Sequence, residues 1–277
     1  MGQKKFKWSN LYLIFVFIVL YLPILYLIFY SFNEGGTMNS FTGFTWEYYQ
    51  AVFADKRLIS IVLNTLLVAL LSSLLATIIG TLGAIGIHYV KKRQTRNTLM
   101  SFNNVLMVSP DVIIGASFLI MFTFVGFKLG FASVLLSHIA FSIPIVVLMV
   151  LPKLQEMNPS MITAARDLGA NNLQVLSKII LPSITPGILA GYFMAFTYSL
   201  DDFAVTFFVT GNGFSTLSVE IYSRARQGVS LEINALSAIM FLFALILVVG
   251  YYFIQQYNMT KKQKSRERER AKVVDLL

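Results

Sequence analysis

Apolar residues in this chain come in long runs rather than in alternation. A helix needs about 20 mostly apolar residues to cross a bilayer. Six stretches meet that length or exceed it: 11–32, 58–90, 99–127, 131–151, 184–209 and 234–257. The pattern predicts an all-α integral membrane protein with six transmembrane helices. The second run is long enough to tilt or to extend beyond the bilayer. Lys4, Lys5 and Lys7 precede the first run, as they would in a signal peptide. That run is longer than an h-region of about 7–15 residues, and no small-residue cleavage site follows it, so a retained helix is expected. Pro23 is a point at which it can kink.

The segments between the runs carry the charge, and the charge orients the chain. With the N terminus inside, the inner segments are 1–10, 91–98, 152–183 and 258–277. The outer side then keeps only Lys56, Arg57, Lys128, Arg224 and Arg226 of the 22 Lys and Arg residues. Basic residues favour the cytoplasmic face, so both termini are expected there. This accounts for the net charge of +9 without nucleic acid. The basic run at 261–272 reads as a solvated, lipid-proximal tail.

Composition agrees. The chain is 56% hydrophobic and 13% charged, with a mean hydropathy of +0.70; a soluble chain carries about 25% charged residues. A single transmembrane domain over 1–277 is expected, with an inner loop at about 153–183 and the tail at about 258–277. The absence of cysteine excludes disulfides, thiolate metal sites and Cys nucleophiles. His88 and His138 are too few for a histidine-based metal site, and they read as packed or interfacial side chains. No catalytic or metal-binding residue is expected. There is no G-x-x-x-x-G-K-[ST] phosphate loop. Gly80, Gly83 and Gly86 lie inside a span with no lysine after them and read as small-residue helix packing.

One inner segment has its own structure. Asn158 suits a helix N-cap and Pro159 the first helical position. Gly169 suits the position that stops a helix. A second helix is expected to start near Asn171 or Asn172 and to end at Leu181-Pro182, because proline cannot continue the backbone ladder. The result is a short helix-turn-helix on the cytoplasmic face. The residues alone leave open whether it docks a partner or lies on the headgroups.

Ionisable residues inside a membrane are costly and so are candidates for function. Asp201 and Asp202 fall about 26 Å along the fifth span at about 1.5 Å per residue. Helical neighbours point about 100° apart, so one can face a pathway while the other holds a neighbouring helix. A negative cavity would favour a cationic solute, and Tyr198 could add a cation–π contact. The alternative is an acid pair that caps a re-entrant segment or pairs with Arg224. Asp111 follows Ser109-Pro110 and has a structural reading: Ser as N-cap, Pro at N1, and an acid beside the positive end of the third span.

Two resemblances sharpen these readings. Thr163-Ala164-Ala165, then Gly169 after three residues, then Ile179-Ile180-Leu181-Pro182 after nine more, resembles the E-A-A…G…I-x-L-P loop of ABC importer permeases. Thr163 stands where that family usually has Glu. The resemblance implies a type I ABC importer-like permease whose coupling helix, with Thr163, Ala164, Ala165, Arg166, Asp167 and Gly169, seats in a cleft of an ATPase.

A second resemblance covers nearly the whole chain. It rests on 198–203, Gly211, 216–223, 228–230 and 232–237, with Leu22-Pro23 and Phe44-Thr45 in the first half. These are similar to the second membrane subunit of spermidine/putrescine permeases. The resemblance implies a bacterial cytoplasmic membrane protein with a homologous second permease, two ATP-binding subunits and an extracytoplasmic polyamine-binding protein. No cofactor would bind this chain; ATP and Mg would sit on the partner ATPase. Asp201, Asp202 and Tyr198 would line the solute pathway. Permeases for iron, sulfate or thiamine share the architecture and remain alternatives, as does a gradient-driven secondary transporter. A membrane-embedded enzyme is disfavoured because no nucleophile–base or metal constellation is visible.

Overall fold

A computed structural model describes residues 8–228 and 230–246, together with Val249, Phe253 and Gln256. The described residues are helical, with one isolated bridge between Asn33 and Phe44. The helices are α1 (Trp8–Tyr30), α2 (Glu47–Ala54), α3 (Lys56–Tyr89), α4 (Arg93–Val108), α5 (Asp111–Val125), α6 (Phe131–Glu156), α7 (Ser160–Asp167), α8 (Asn172–Val175), α9 (Leu181–Asp201), α10 (Ala204–Val209), α11 (Leu217–Gln227) and α12 (Leu231–Ile246). Among the described residues four stretches are long and apolar enough to cross a membrane, Leu11–Tyr30, Lys56–Tyr89, Phe131–Glu156 and Asn172–Asp201, and the bent pair α4–α5 would make a fifth. The sixth predicted run is described only in part, through α12. Lys4, Lys5, Lys7 and the tail at 258–277 lie outside the described residues.

Two expectations are corrected. The third run is not one straight helix, since α4 and α5 meet at 104°. Pro110 has no amide to donate and drives Ser109 out of the helical region, to ψ 137. Ser109 is therefore the C-cap of α4, not the N-cap of a span; its hydroxyl donates back to the Val105 carbonyl at 2.7 Å. The second correction is at Leu181-Pro182, where the helix that starts at Asn172 does not end. A π-helical turn, Leu176–Ile180, carries it into α9, closed by the Leu181 amide on the Leu176 carbonyl. The wider turn absorbs the register change where Pro182 lacks a donor and its ring would crowd the Lys178 carbonyl. The helix that carries the fifth run therefore begins at Asn172, well before residue 184.

The chain divides into two compact units. In Lys56–Ser223, α3, α6 and α9 pack on one another, and α10 packs on α5 and α6. The buried face of α3 is a row of small residues, including Thr65, Ala69, Ser72, Ser73, Ala76, Gly80 and Ala84. That spacing lets neighbouring backbones come close in a membrane, where no hydrophobic force between helices helps. A Cβ on Gly80 would stand 2.7 Å from that of Val146, and one on Gly191 would stand 3.2 Å from the Val146 Cα. Val146 thus sits between glycines of α3 and α9. Gly83 and Gly86 have room for a side chain, so the packing role expected of all three glycines falls to Gly80. Two hydroxyls on α3 close on their own helix, Thr65 on Ile61 at 2.8 Å and Thr77 on Ser73 at 2.6 Å, which lowers the cost of burying them there.

The other unit holds the residues up to Asp55 and those from Arg224 onward. Along α1 the large apolar side chains, Leu13, Phe15, Leu20 and Leu22 among them, are exposed. A lipid surface is the solvent that suits them. The loop after α1 is built around fully buried Asn33. Its amide donates to the Thr37 and Ser40 carbonyls at 2.7 and 2.8 Å and accepts from the Thr42 amide at 2.8 Å. Phe32, Phe44, Trp46 and Tyr49 stack beside it.

Candidate solute and coupling sites

The surface element between α6 and α9 assembles from neighbours in sequence. The Asn158 side chain accepts from the Ser160 amide at 3.0 Å and so caps α7, with Pro159 in the first turn. At the other end Gly169 has φ +84. The Gly169 amide bonds the Arg166 carbonyl at 2.8 Å and the Ala170 amide bonds that of Ala165 at 3.0 Å. This pair is a Schellman turn, and its left-handed residue is glycine for want of a Cβ. Asn171 and Gln174 then form a reciprocal capping box at 2.9 Å in each direction, starting α8. On α7, Thr163, Ala164, Arg166 and Asp167 are exposed or half-buried, and Ala165 packs inward beside them. Arg166 reaches Asn172 at 3.4 Å. Leu168, 90% exposed, and Leu173, 72% exposed, project beside α7. Apolar side chains that exposed on a polar surface element suit contact with another protein.

The acids lie where the fifth span breaks. α9 ends at Asp201, Asp202 is extended at ψ 122, and α10 restarts at Ala204. The two carboxylates part company there. The Asp202 side chain turns inward, 5% exposed, and accepts from the Thr206 amide at 2.8 Å, the Val205 amide at 3.3 Å and the Thr206 hydroxyl at 2.7 Å. It therefore caps α10, which is the alternative weighed for the pair from sequence. Asp201 is exposed. Tyr198, one turn earlier on α9, donates its hydroxyl to exposed Asp111 at 2.7 Å. Asp202 adjoins Asp201 in sequence, and Tyr198 ties Asp111 to the same end of α9. Arg224, the other partner considered, is paired with Asp55 at 3.1 Å and Glu232 at 3.3 Å.

Two residues of this neighbourhood receive only structural readings from the sequence, Asp111 as a helix-end acid and His138 as a packed or interfacial side chain. The Ser109-Pro110 pair points to a helix end at the cytoplasmic face for Asp111. The signal for a different reading is an acid that opens a helix with no other charged residue, once α4 is recognised as a separate helix. His138 is fully buried between α9 and α10, with Nδ1 2.6 Å from Ser199 Oγ and Nε2 2.8 Å from Thr206 Oγ1. Nothing local announces it, because its partners are 61 and 68 residues away. Among the described residues no group of His, Asp and Glu could hold a metal ion.

The helices have the fold of ABC importer permeases. A subunit of a bacterial ABC transporter for the acidic polysaccharide alginate aligns with a TM-score of 0.70 at 18% identity, over 89% of this chain and 93% of that one. A chain of the MetNI methionine ABC transporter aligns at 0.58 and 19%, over 72% of this chain and 94% of that one. Sequence carries the matter further. The family described as the inner membrane component of binding-protein-dependent transport systems matches residues 76–263, and the chain belongs to it. It is 36% identical over 256 residues to the spermidine/putrescine transport system permease protein PotC of Haemophilus influenzae, covering 92% of this chain and 99% of that protein. PotC of Escherichia coli K12 is 37% identical over 239 residues, 86% of this chain and 90% of that protein. The putrescine permease PotI of the same strain is 33% identical over 268 residues, 95% of this chain and 94% of that protein.

Proposed function

We propose that this chain is the membrane-spanning permease subunit of an ATP-driven importer that carries spermidine or putrescine into the cytoplasm. The carrying observation is exposed Asp111 on α5 held by Tyr198, one turn before exposed Asp201 on α9. Neither carboxylate has a Lys or Arg partner among the described residues. Two acids without cationic partners, with a phenol beside them, suit a flexible solute bearing several ammonium groups. The names of the PotC and PotI relatives agree with that chemistry.

In this reading six spans cross the inner membrane with both termini in the cytoplasm. The chain pairs with a homologous permease to enclose one pathway. Two ATP-binding subunits engage α7 and its exposed leucines, and an extracytoplasmic binding protein delivers solute. The chain is non-catalytic: ATP and Mg stay on the ATPases, which act on this subunit through Thr163, Ala164, Ala165, Arg166, Asp167 and the turn at Gly169. α9 then links the two sites, since about 20 residues at about 1.5 Å each span about 30 Å between Leu181 and Asp201. The test is uptake of radiolabelled spermidine and putrescine by proteoliposomes holding the co-encoded complex. Expected is ATP-dependent accumulation that falls with Asp201→Asn and with Asp111→Asn. Normal transport by both variants removes the acid site; accumulation driven by a membrane potential without ATP removes the importer reading.

A further inference from the structure

We propose that His138 is a positioning residue for the solute carboxylates, holding the α9–α10 break in the geometry that keeps Asp202 inward and Asp201 outward. This rests on the reading that Asp201 and Asp111 face the solute.

The Thr206 hydroxyl donates to Asp202 at 2.7 Å, so it can only accept from His138 Nε2 at 2.8 Å. Nε2 therefore carries a proton. It also lies 3.5 Å from the Asp202 carboxylate oxygen. On the opposite side of the ring Nδ1 meets Ser199, whose hydroxyl is 2.9 Å from that of Ser72 on α3. One imidazole on α6 thus grips the last turn of α9 through Ser199 and the first turn of α10 through Thr206. Between those turns lie Asp202 and Phe203, the only residues outside the two helices. A chain with two non-helical residues has few stable directions, and the ring selects one.

The same ring reaches the other half of the acid cluster. Its face packs on Phe141 at 4.9 Å, Phe141 meets Tyr198 edge-on at 5.0 Å, and Tyr198 holds Asp111. His138 is accordingly joined to both acid-bearing elements, by hydrogen bonds to the break and by packing to the tyrosine. Ser72, His138, Ser199, Thr206 and Asp202 come from α3, α6, α9, α10 and the break between the last two. No simpler requirement of membrane packing calls for a fully buried histidine here, since an apolar residue would fill the same volume without polar atoms to satisfy.

The test uses conservative variants in the reconstituted complex with its partners, assayed with radiolabelled spermidine. An asparagine amide falls near the Nδ1 position and keeps the Ser199 contact; a glutamine amide falls near Nε2 and keeps the donor to Thr206 and Asp202. The readout is spermidine moved per ATP hydrolysed, which loss of folded protein alone would leave unchanged. Expected for His138→Asn is a fall of about tenfold in that ratio with the ATPase rate within about twofold of wild type. His138→Gln should recover most of it. Adding Asp202→Asn to His138→Asn should cause little further loss, because both act through one contact. The proposal is overturned if His138→Asn keeps the wild-type ratio, if Gln and Asn lose it equally, or if the Asp202→Asn loss adds in full. Should His138→Asn fail to assemble, His138→Gln against Asp202→Asn decides: an equal loss in both overturns it. A wild-type complex that moves neither polyamine overturns the functional reading itself, an outcome distinct from normal wild-type transport with indifferent His138 variants.

Discussion

The two ends of α9 satisfy their polar groups in opposite ways. At the α7 end every capping bond joins residues within five positions of one another, from Asn158 with Ser160 to Ala170 with Ala165. At the Asp201 end the Asp202 cap on Val205 and Thr206 is local, but the bonds that tie the break to the rest of the bundle join residues 61, 68, 87 and 127 apart. The first element is self-contained: its geometry is fixed before anything docks on it, and its side chains stay available at the surface. The second exists only when α3, α5, α6, α9 and α10 are all in place. A change at the first should alter how force enters the subunit and leave the bundle intact; a change in the buried network of the second should alter the solute site and the bundle together.

The largest effects are expected at the pivots. Gly169→Val puts a β-branched residue at φ +84, where an L-residue costs roughly 1–2 kcal/mol. No atom crowds a Cβ at that position, so the cost is conformational alone. ATP-driven uptake should fall by about tenfold or more while the amount inserted in the membrane stays normal, with Gly169→Asn milder than Gly169→Val. Normal coupling in the valine variant would show that the turn does not set the pose of α7. At the opposite end, Asp201→Asn should reduce polyamine uptake by a similar factor without lowering thermal stability. Asp202→Asn should lower thermal stability as well as transport. Its amide can keep an oxygen for the Thr206 donors but turns a donor toward the Val205 amide, and leaving such a group unmatched costs about 1–3 kcal/mol. A thermal melt of the detergent-solubilised complex separates the two; equal melts with equal transport losses would erase the distinction between inward and outward acid.

A smaller effect is expected at Asn158→Ala. Loss of an N-cap costs about 1 kcal/mol, here confined to a helix of 8 residues on the surface. Fraying of α7 should be visible as faster amide exchange at Ser160 and Met161, with α9 and the acid site unchanged. Slower exchange, or altered exchange near Asp201, would mean that the two ends are not independent.

This contrast also explains what could be read from the chain. The α7 caps are legible because caps are local: Asn-Pro at one end and a glycine at the other encode them within a dozen residues. The long apolar helices are legible from length alone. The break in the third run is hidden because Ser109-Pro110 serves equally as the start of a helix and as the end of one. Only packing decides, and α4 buries none of its side chains while α5 buries Ile114, Gly115 and Phe122. Pro182 misleads for a related reason, since a π-turn lets a helix pass a proline that a plain α-ladder could not accommodate. The outward and inward turns of Asp201 and Asp202 follow from His138 and Thr206, and no spacing rule connects a histidine on one helix with a threonine 68 residues later.

The smallest effect, and the finest probe of the surface element, is Thr163→Glu. Thr163 is exposed on α7, in the position where the family's loop usually carries Glu. The helix itself should gain only a few tenths of a kcal/mol, since Glu is the better helix former. The new carboxylate would also sit three residues before Arg166, a spacing that adds about 0.2–0.5 kcal/mol for an exposed pair. Neither term reaches the solute carboxylates at the far end of α9. If the exposed face of α7 only needs a helix, uptake and ATPase rate should stay within about twofold of wild type, the size such terms can produce. A larger gain or loss, with the melt unchanged, would mean that the side chain at 163 itself touches the ATPase. In that case the element would be specific to its own partner, and the threonine would be part of that match.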